Sequence, residues 1–295
     1  MEREKARRLA SVIATRHSTR KYGGPPIDPA VMDRLAQVAL EVEPVDGVHA
    51  RVELVQGAAA AGGLFRGIAG AYGKVTGCPA AMVLVADTSR PGHLEAVGYY
   101  GEQVILEATS LGVSTCWVSG FFKRDVARQA VALGDNEEVI AVSPLGYPAP
   151  GIGRIHDASM KMIQPLQGGR KPLSAIVRGS TLRIHEGGRE GIPVWLHSAL
   201  EAARLAPSAR NRQPWVFESR DDGTVALFAA VGADFRPIGL RDHKRLDCGI
   251  AMLHFEVAAL ASGVEGAWTL GLGEEQPVAV FRSASQEPGA TTVPL

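Results

Sequence analysis

Two stretches of this chain, "VGYYGEQVILEATSLGVSTCW" at 97–117 and "CGIAMLHFEVAALASGVEGAW" at 248–268, overlay at a constant offset of 151 residues. The overlay matches Gly98 with Gly249, Ala108 with Ala259, Gly112 with Gly263, Val113 with Val264 and Trp117 with Trp268. Alanine-rich amphipathic helices align by composition alone, so the Ala and Val matches carry little weight. Two aligned tryptophans among only four carry more. The chain is therefore read as one unit built twice, which constrains its fold before any other pattern is considered. Upstream, "VMDRLAQVALEVEP" and "VWLHSALEAARLAPS" correspond at an offset of 164, so the first half holds additional residues between its two helices. These fall in the Gly/Ala-rich "GAAAAGGLFRGIAGAYGK". No G-x-G-x-x-G or phosphate-loop spacing occurs there, and the stretch reads as a loop or a helix packed through small residues.

Each half is expected to run helix, strand, long buried helix, then one or two strands. In the first half, Asp28 and Pro29 mark a helix start, and Val31, Met32, Leu35, Val38 and Ala39 keep helical spacing. "PAAMVLVAD", 79–87, is short, continuous and apolar, as a strand buried on both faces is. Residues 98–111 read as a core helix and "EVIAVSPLGYP", 138–148, as a strand leaving the core into a turn. In the second half, "QPWVFESRDDGTVALFAA" carries a hairpin signal, "RDDGT", between two apolar runs. Polar, Gly-rich sequence around 164–189 marks the connection between the halves.

With 295 residues and 46% hydrophobic content the chain can bury a sizeable core. Lys plus Arg and Asp plus Glu both total 31, so no general basic field draws the surface to nucleic acid or anionic lipid, and any anion site must be local. The N-terminal "MEREKARRLASVIATRH" lacks the apolar core of a signal peptide, and no stretch reaches the length of a membrane span. A cytoplasmic protein is expected. Cys78, Cys116 and Cys248 are odd in number and far apart, which fits buried thiols in a reducing compartment rather than a disulfide framework. Cys248 with His243 and His254 fits no standard zinc spacing, and no metal is expected.

The two halves differ in complementary ways. The second contains "APSARNRQPW", 206–215, directly after its helix, where the first has "VEPVDGVHAR"; the first contains "RHSTRKY", 16–22, and the second has nothing like it. Taken alone, "RHSTRKY" reads as a solvated basic stretch, and "APSARNRQPW" as a helix-to-strand loop ended by Pro207 and Pro214, with Ser208 and Asn211 bonding in a tight turn. Together with "LGVSTCWVSGF", "SPLGYP" and "RKPL", however, they make a combination that covers most of the chain and is similar to the FMN-dependent nitroreductase family. The resemblance is to its tandem branch, in which one chain holds both halves of what is elsewhere a dimer.

That resemblance implies an α+β fold: two tandem half-repeats, 1–170 with the basic motif and 171–295 with the P-S-x-x-N-x-Q-P-W motif. Each would have a central, mainly antiparallel sheet flanked by helices, and together they would form a pseudo-dimer. It implies one FMN site, with Arg16, His17, Ser18 and Arg20 facing the phosphate and ribityl oxygens and Arg170 and Lys171 as further phosphate partners. Guanidinium groups suit that task through forked, charge-assisted hydrogen bonds. Pro207 and Ser208 would pack on the edge of the flavin ring, while Asn211 and Gln213 contact the cofactor or fix the loop. Ser119 and Gly120 would pass beside the ring, where a glycine permits close approach. Lys74 matches the family's cation near the flavin pyrimidine and reads equally as an exposed loop lysine. The implied activity takes hydride from NAD(P)H onto FMN and reduces a small organic acceptor, with no protein acid or base assigned. The same fold would also host an FMN sensor, or an FMN-dependent dehydrogenase served by another electron carrier. A fused pair supplies its own interface, so a monomer is expected.

Overall fold

A computed structural model of the chain describes residues 1–66, 74–120, 122–150, 169–179, 192–230, 244–271, 276–284 and 292–293. Helix α1 (Arg3–Val12) buries Ala6 and Leu9 and leaves its charges outside, which produces the alternation seen in its sequence. Helix α2 (Pro29–Glu41) begins where its sequence dictates. Asp28 Oδ1 accepts the Ala30 N–H at 2.8 Å, and Pro29 stands in the first turn, where a missing N–H costs nothing.

The first half continues with β1 (Arg51–Gln56), α3 (Ala58–Leu64), β2 (Ala80–Asp87), α4 (His93–Ser110), α5 (Arg124–Ala130) and β3 (Glu137–Leu145). Its sheet is antiparallel in the order β1-β2-β3. The apolar run of β2 is continuous because both of its faces are covered. Ala80, Met82, Leu84 and Ala86 join α2 and α4 in the main core, while Ala81, Val83 and Val85 join Ala61, Leu64, Phe65 and Ala127 of the α3–α5 layer. The Gly/Ala-rich stretch thus begins as a packed helix; 67–73 lie outside the described residues.

The second half contributes β4 (Val177–Gly179), β5 (Ile192–Pro193), α6 (Val194–Arg204), β6 (Trp215–Ser219), β7 (Val225–Ala229), α7 (Lys244–Ala261), β8 (Gly266–Leu270), β9 (Ala279–Ser283) and β10 (Thr292–Val293). Five strands form a sheet in the order β4-β6-β7-β9-β8, antiparallel except for the parallel β4–β6 pair, and β5 pairs with β10 separately. The "RDDGT" hairpin closes with Arg220 N–H donating to Thr224 O at 2.9 Å. Part of the stretch expected to be connector is instead sheet: Leu173, Ile176 and Val177 are buried, and that apolar triplet draws β4 against β6. The remainder, 164–168 and 180–189, lies outside the described residues. The fold is α+β, and no described helix is long and apolar enough to cross a membrane.

The repeated stretches are α4 and α7, and they cross backbone to backbone. A methyl group added to Gly98 would overlap the Leu246 carbonyl, and one added to Gly249 would overlap the Glu95 carbonyl. Glu95 and Leu246 are themselves 151 residues apart, so the contact is reciprocal, as it is across a twofold axis. Both helices end alike: Gly112 (φ 76°) and Gly263 (φ 94°) take the left-handed conformation. Val113 N–H then reaches Ala108 O at 2.8 Å, and Val264 N–H reaches Ala259 O at 3.0 Å. Helices α2 and α6 agree at the other offset: buried Met32, Leu35, Val38 and Val42 fall on buried Leu196, Ala199, Ala202 and Ala206. These correspondences are compatible with a tandem pair.

Gly98→Ala and Gly249→Ala are each expected to destabilise by about 1–3 kcal/mol through overpacking, read as a lower urea midpoint. Gly112→Ala meets open space and is expected to lose only about 1–2 kcal/mol from left-handed strain. A pair of crossing-site variants as stable as the parent would show that the helices separate at no cost.

Candidate functional site

The "RHSTRKY" segment leaves α1 and runs extended along the first half. Thr19 N–H donates to Thr115 O at 2.8 Å, Thr76 N–H to Arg20 O at 2.9 Å, and Tyr22 N–H to Thr76 O at 2.8 Å. Tyr22 anchors it from below, its hydroxyl donating to Thr19 O at 2.7 Å. Burial falls on every third residue rather than alternating. Thr19 and Tyr22 are buried, Ser18 and Arg20 are half-buried, and His17 and Lys21 are exposed. Lys74 is also exposed, on the strand-like segment whose Thr76 pairs with this motif.

Arg16 behaves differently from the rest of the motif. It is only 9% exposed, and its Nε and Nη1 are buried without a hydrogen-bond partner. The nearest anion is Glu102 of α4, whose Oε1 lies 3.9 Å from Arg16 Nε, too far for a hydrogen bond. Glu102 is itself fully buried and already engaged. Its Oε2 accepts the Trp117 indole N–H at 2.6 Å, and its Oε1 lies 2.8 Å from His254 Nε2 of α7. The other imidazole nitrogen faces Ala202 O at 3.0 Å, so Nδ1 must be the donor there. Arg170, the last residue of the first half, completes the cluster and reaches into the second, with Nη1 donating to Ala206 O at 2.6 Å and to Asn211 Oδ1 at 3.1 Å. Burial, reinforced by the charges of Arg16 and Arg204, pushes the Arg170 guanidinium down to about 10. The Arg16 and Arg170 guanidinium groups thus share one electrostatic neighbourhood, where Glu102 is already committed elsewhere.

The "APSARNRQPW" loop is strained and heavily tied. Arg210 (φ 55°), Asn211 (φ 54°) and Gln213 (φ 50°) all occupy the left-handed region, at a cost of about 1–2 kcal/mol each for non-glycine residues. The polar side chains hold that shape. Ser208 Oγ accepts the Gln213 N–H at 2.8 Å, Gln213 Oε1 accepts the Lys171 N–H at 2.7 Å, and Lys171 Nζ donates back to Gln213 O at 3.0 Å. Gln213 Nε2 reaches Asn211 O at 3.0 Å, and Asp247 of α7 receives the Ala209 N–H. Asn211, Gln213, Arg170 and Lys171 therefore bind one another, locking the loop to the segment that precedes β4. Pro207 is buried under it.

Ser119 and Gly120 are half-buried just beyond Val118, which pairs with Val142 at the edge of β3. Arg16 and Arg170 thus lie in one electrostatic cluster, and Arg170 is tied to the "APSARNRQPW" loop. Glu102 and His254 were not singled out for this cluster by their motifs. Their signal was a charged residue and an imidazole at positions that helical spacing places inside apolar runs, where burial demands a partner. The three cysteines are buried, and burial pushes the Cys78 thiol up to about 11, away from nucleophilic use. Among the described residues no group of three His, Cys, Asp or Glu side chains is arranged to hold a metal; His243 lies outside them.

A family model described as "Putative TM nitroreductase" matches residues 8–259. A crystal structure described as a putative nitroreductase from Thermotoga maritima aligns with a TM-score of 0.57 and 18% identity, covering 92% of each chain, and shares the fold. An FMN-dependent nitroreductase from Clostridium difficile aligns with a TM-score of 0.41 and 20% identity over 46% of this chain and 85% of its own. A nitroreductase with bound FMN from Bacteroides fragilis gives a TM-score of 0.40 and 17% identity over 48% of this chain and 89% of its own. No curated protein matches in sequence.

Removing Glu102 leaves Arg16 and His254 buried without their shared carboxylate. Glu102→Ala is expected to cost about 3–5 kcal/mol in urea unfolding. Glu102→Gln, which keeps an acceptor for Trp117, should cost less. Equal losses would mean that the lost carboxylate, not cavity formation, dominates; a loss confined to Glu102→Ala would mean the reverse.

Proposed function

The chain belongs to this TM nitroreductase family, and we propose that it is an FMN-dependent oxidoreductase in which two fused halves, 1–170 and 171–295, share one flavin site. The observation that carries this reading is the pair of buried, unpartnered N–H donors on Arg16 at the junction of the halves. Buried donors are rarely left unsatisfied, and these stand near Arg170 where Glu102 is already engaged. A phosphate dianion has the charge and the acceptor oxygens that the cluster lacks.

In this reading Arg16 and Arg170 hold the phosphate, with Ser18 and Arg20 turned toward the ribityl oxygens and His17 at the exposed rim. Pro207 and Ser208 meet the ring edge. Asn211, Gln213 and Lys171 act by keeping the strained loop in shape, since their polar groups already bind one another. Ser119 and Gly120 flank the ring, and Lys74 brings positive charge to the pyrimidine side, where negative charge develops on reduction. When bound, FMN supplies the hydride and electron-transfer chemistry that joins NAD(P)H to a small organic acceptor such as a nitro compound or quinone. The chain's own groups bind and orient, and none is assigned as acid or base. Because the two halves bury their crossing helices against each other, the protein works as a monomer.

The test is the visible spectrum of the FMN-reconstituted protein before and after NADPH or NADH is added without oxygen. A protein-bound flavin band that bleaches is expected; no bound band would overturn the reading, and a bound band that persists would assign the donor role to another carrier. Arg16→Ala is expected to weaken FMN binding by about tenfold or more, the loss of one charge-assisted hydrogen bond, in a flavin fluorescence titration. Unchanged affinity would remove Arg16 from the phosphate site.

A further inference from the structure

Several residues around the proposed flavin site have counterparts that line a second cleft, of about 850 Å³, on the other side of the α4–α7 crossing. Gln103 corresponds to His254 and Trp268 to Trp117 at the offset of 151, while Glu43 and Pro44 correspond to Pro207 and Ser208 at 164. Asp46, at the cleft's edge, even shares the left-handed backbone of its counterpart Arg210, with φ of 51° and 55°. The counterpart relation rests on the fused-pair reading; the choice of ligand rests on the side chains alone.

Those side chains have changed character. The guanidinium groups at this cleft, Arg8 and Arg34, are both engaged by Glu107, at 2.8 and 3.4 Å. Lys5 and the amino terminus also line this cleft, but carboxylates outnumber them, among them Glu43 at the exposed rim and Glu256, whose Oε1 accepts the Tyr99 hydroxyl at 2.8 Å. Burial pushes the Glu256 carboxyl up to about 7, opposed by the Tyr99 hydrogen bond and the amino terminus. Gln103 is 5% exposed, lines the cleft, and among the described residues has no hydrogen-bond partner. With most of the side chain buried and no such partner, its amide faces the cleft, held in place and open to a ligand that can bond to it. Trp268 adds indole surface to the wall.

We infer that this cleft is a second binding site, selective for a small organic ammonium ion. Its N–H groups donate to the Gln103 carbonyl and the Glu256 carboxylate, Glu43 adds attraction at the rim, and its apolar body lies against Trp268.

The test titrates the full chain, with and without FMN, with benzylammonium chloride, using sodium benzoate and benzyl alcohol as size-matched probes. Calorimetry follows the heat, and the Gln103 side-chain amide is followed by 15N NMR. Saturable benzylammonium binding that perturbs the Gln103 amide, without saturation by benzoate, is expected. Gln103→Leu and Glu256→Gln should each weaken that binding by about tenfold or more, the loss of a hydrogen bond to a charged group, while leaving FMN affinity unchanged. Benzoate or benzyl alcohol binding as tightly, a response that never saturates, or variants that bind like the parent would each overturn the inference. Should Gln103→Leu fail to fold, Glu256→Gln alone decides. Failure of the flavin reading is visible separately, as a missing bound-flavin band in the same samples, and leaves the ammonium titration intact.

Discussion

Two helices can touch backbone to backbone only where neither carries a β-carbon, and Gly98 and Gly249 make that contact between α4 and α7. Everything that joins the halves follows from it. The close approach brings Glu102 of one helix within hydrogen-bond distance of His254 of the other. The cores of both halves then merge into one apolar cluster running through Val97, Ile105, Ile250 and Phe255. With that cluster closed, polar groups at the junction have no water to turn to, and the bonding pattern around Glu102 becomes the determinant of what the junction can accept.

Strain and satisfaction sit side by side there. The loop after α6 carries three non-glycine residues in left-handed backbone, and nearly every polar group nearby is spent holding it. Arg16 is the contrast, a buried guanidinium with donors left over. On the proposed reading, a loop tied rigidly beside a cation with spare donors fixes the geometry before an anionic ligand binds, so the binding energy goes to the missing partner.

Much of the fold was legible in sequence because its signals are local. Asp28 and Pro29 announce α2, "RDDGT" announces a hairpin, and Gly112–Val113 with Gly263–Val264 end two helices in the same way. The matching stretches were legible because Gly98 and Gly249 at the crossing, and Trp117 and Trp268 after it, stand at the same offset. What could not be read was contact across long separations: nothing local tells that Glu102 and His254 meet, or that the polar residues of "APSARNRQPW" are consumed by Arg170 and Lys171 rather than left open. Strand β1 was missed despite its apolar positions, since Val52, Leu54 and Val55 break strict alternation. Strand β4 was missed because three residues in polar surroundings carry too little pattern to be seen.

The pair Glu102 and His254 also has a historical consequence. Their repeat counterparts are Leu253 and Gln103, so neither half carries the pair in duplicate. Two copies of the first half, assembled symmetrically, would bury two carboxylates facing glutamines. Two copies of the second would bury two imidazoles facing leucines. On the fused-pair reading the chain has passed a ratchet: each half now supplies what only the other can neutralise, and a return to two identical subunits would have to cross a state in which a buried charge stands alone.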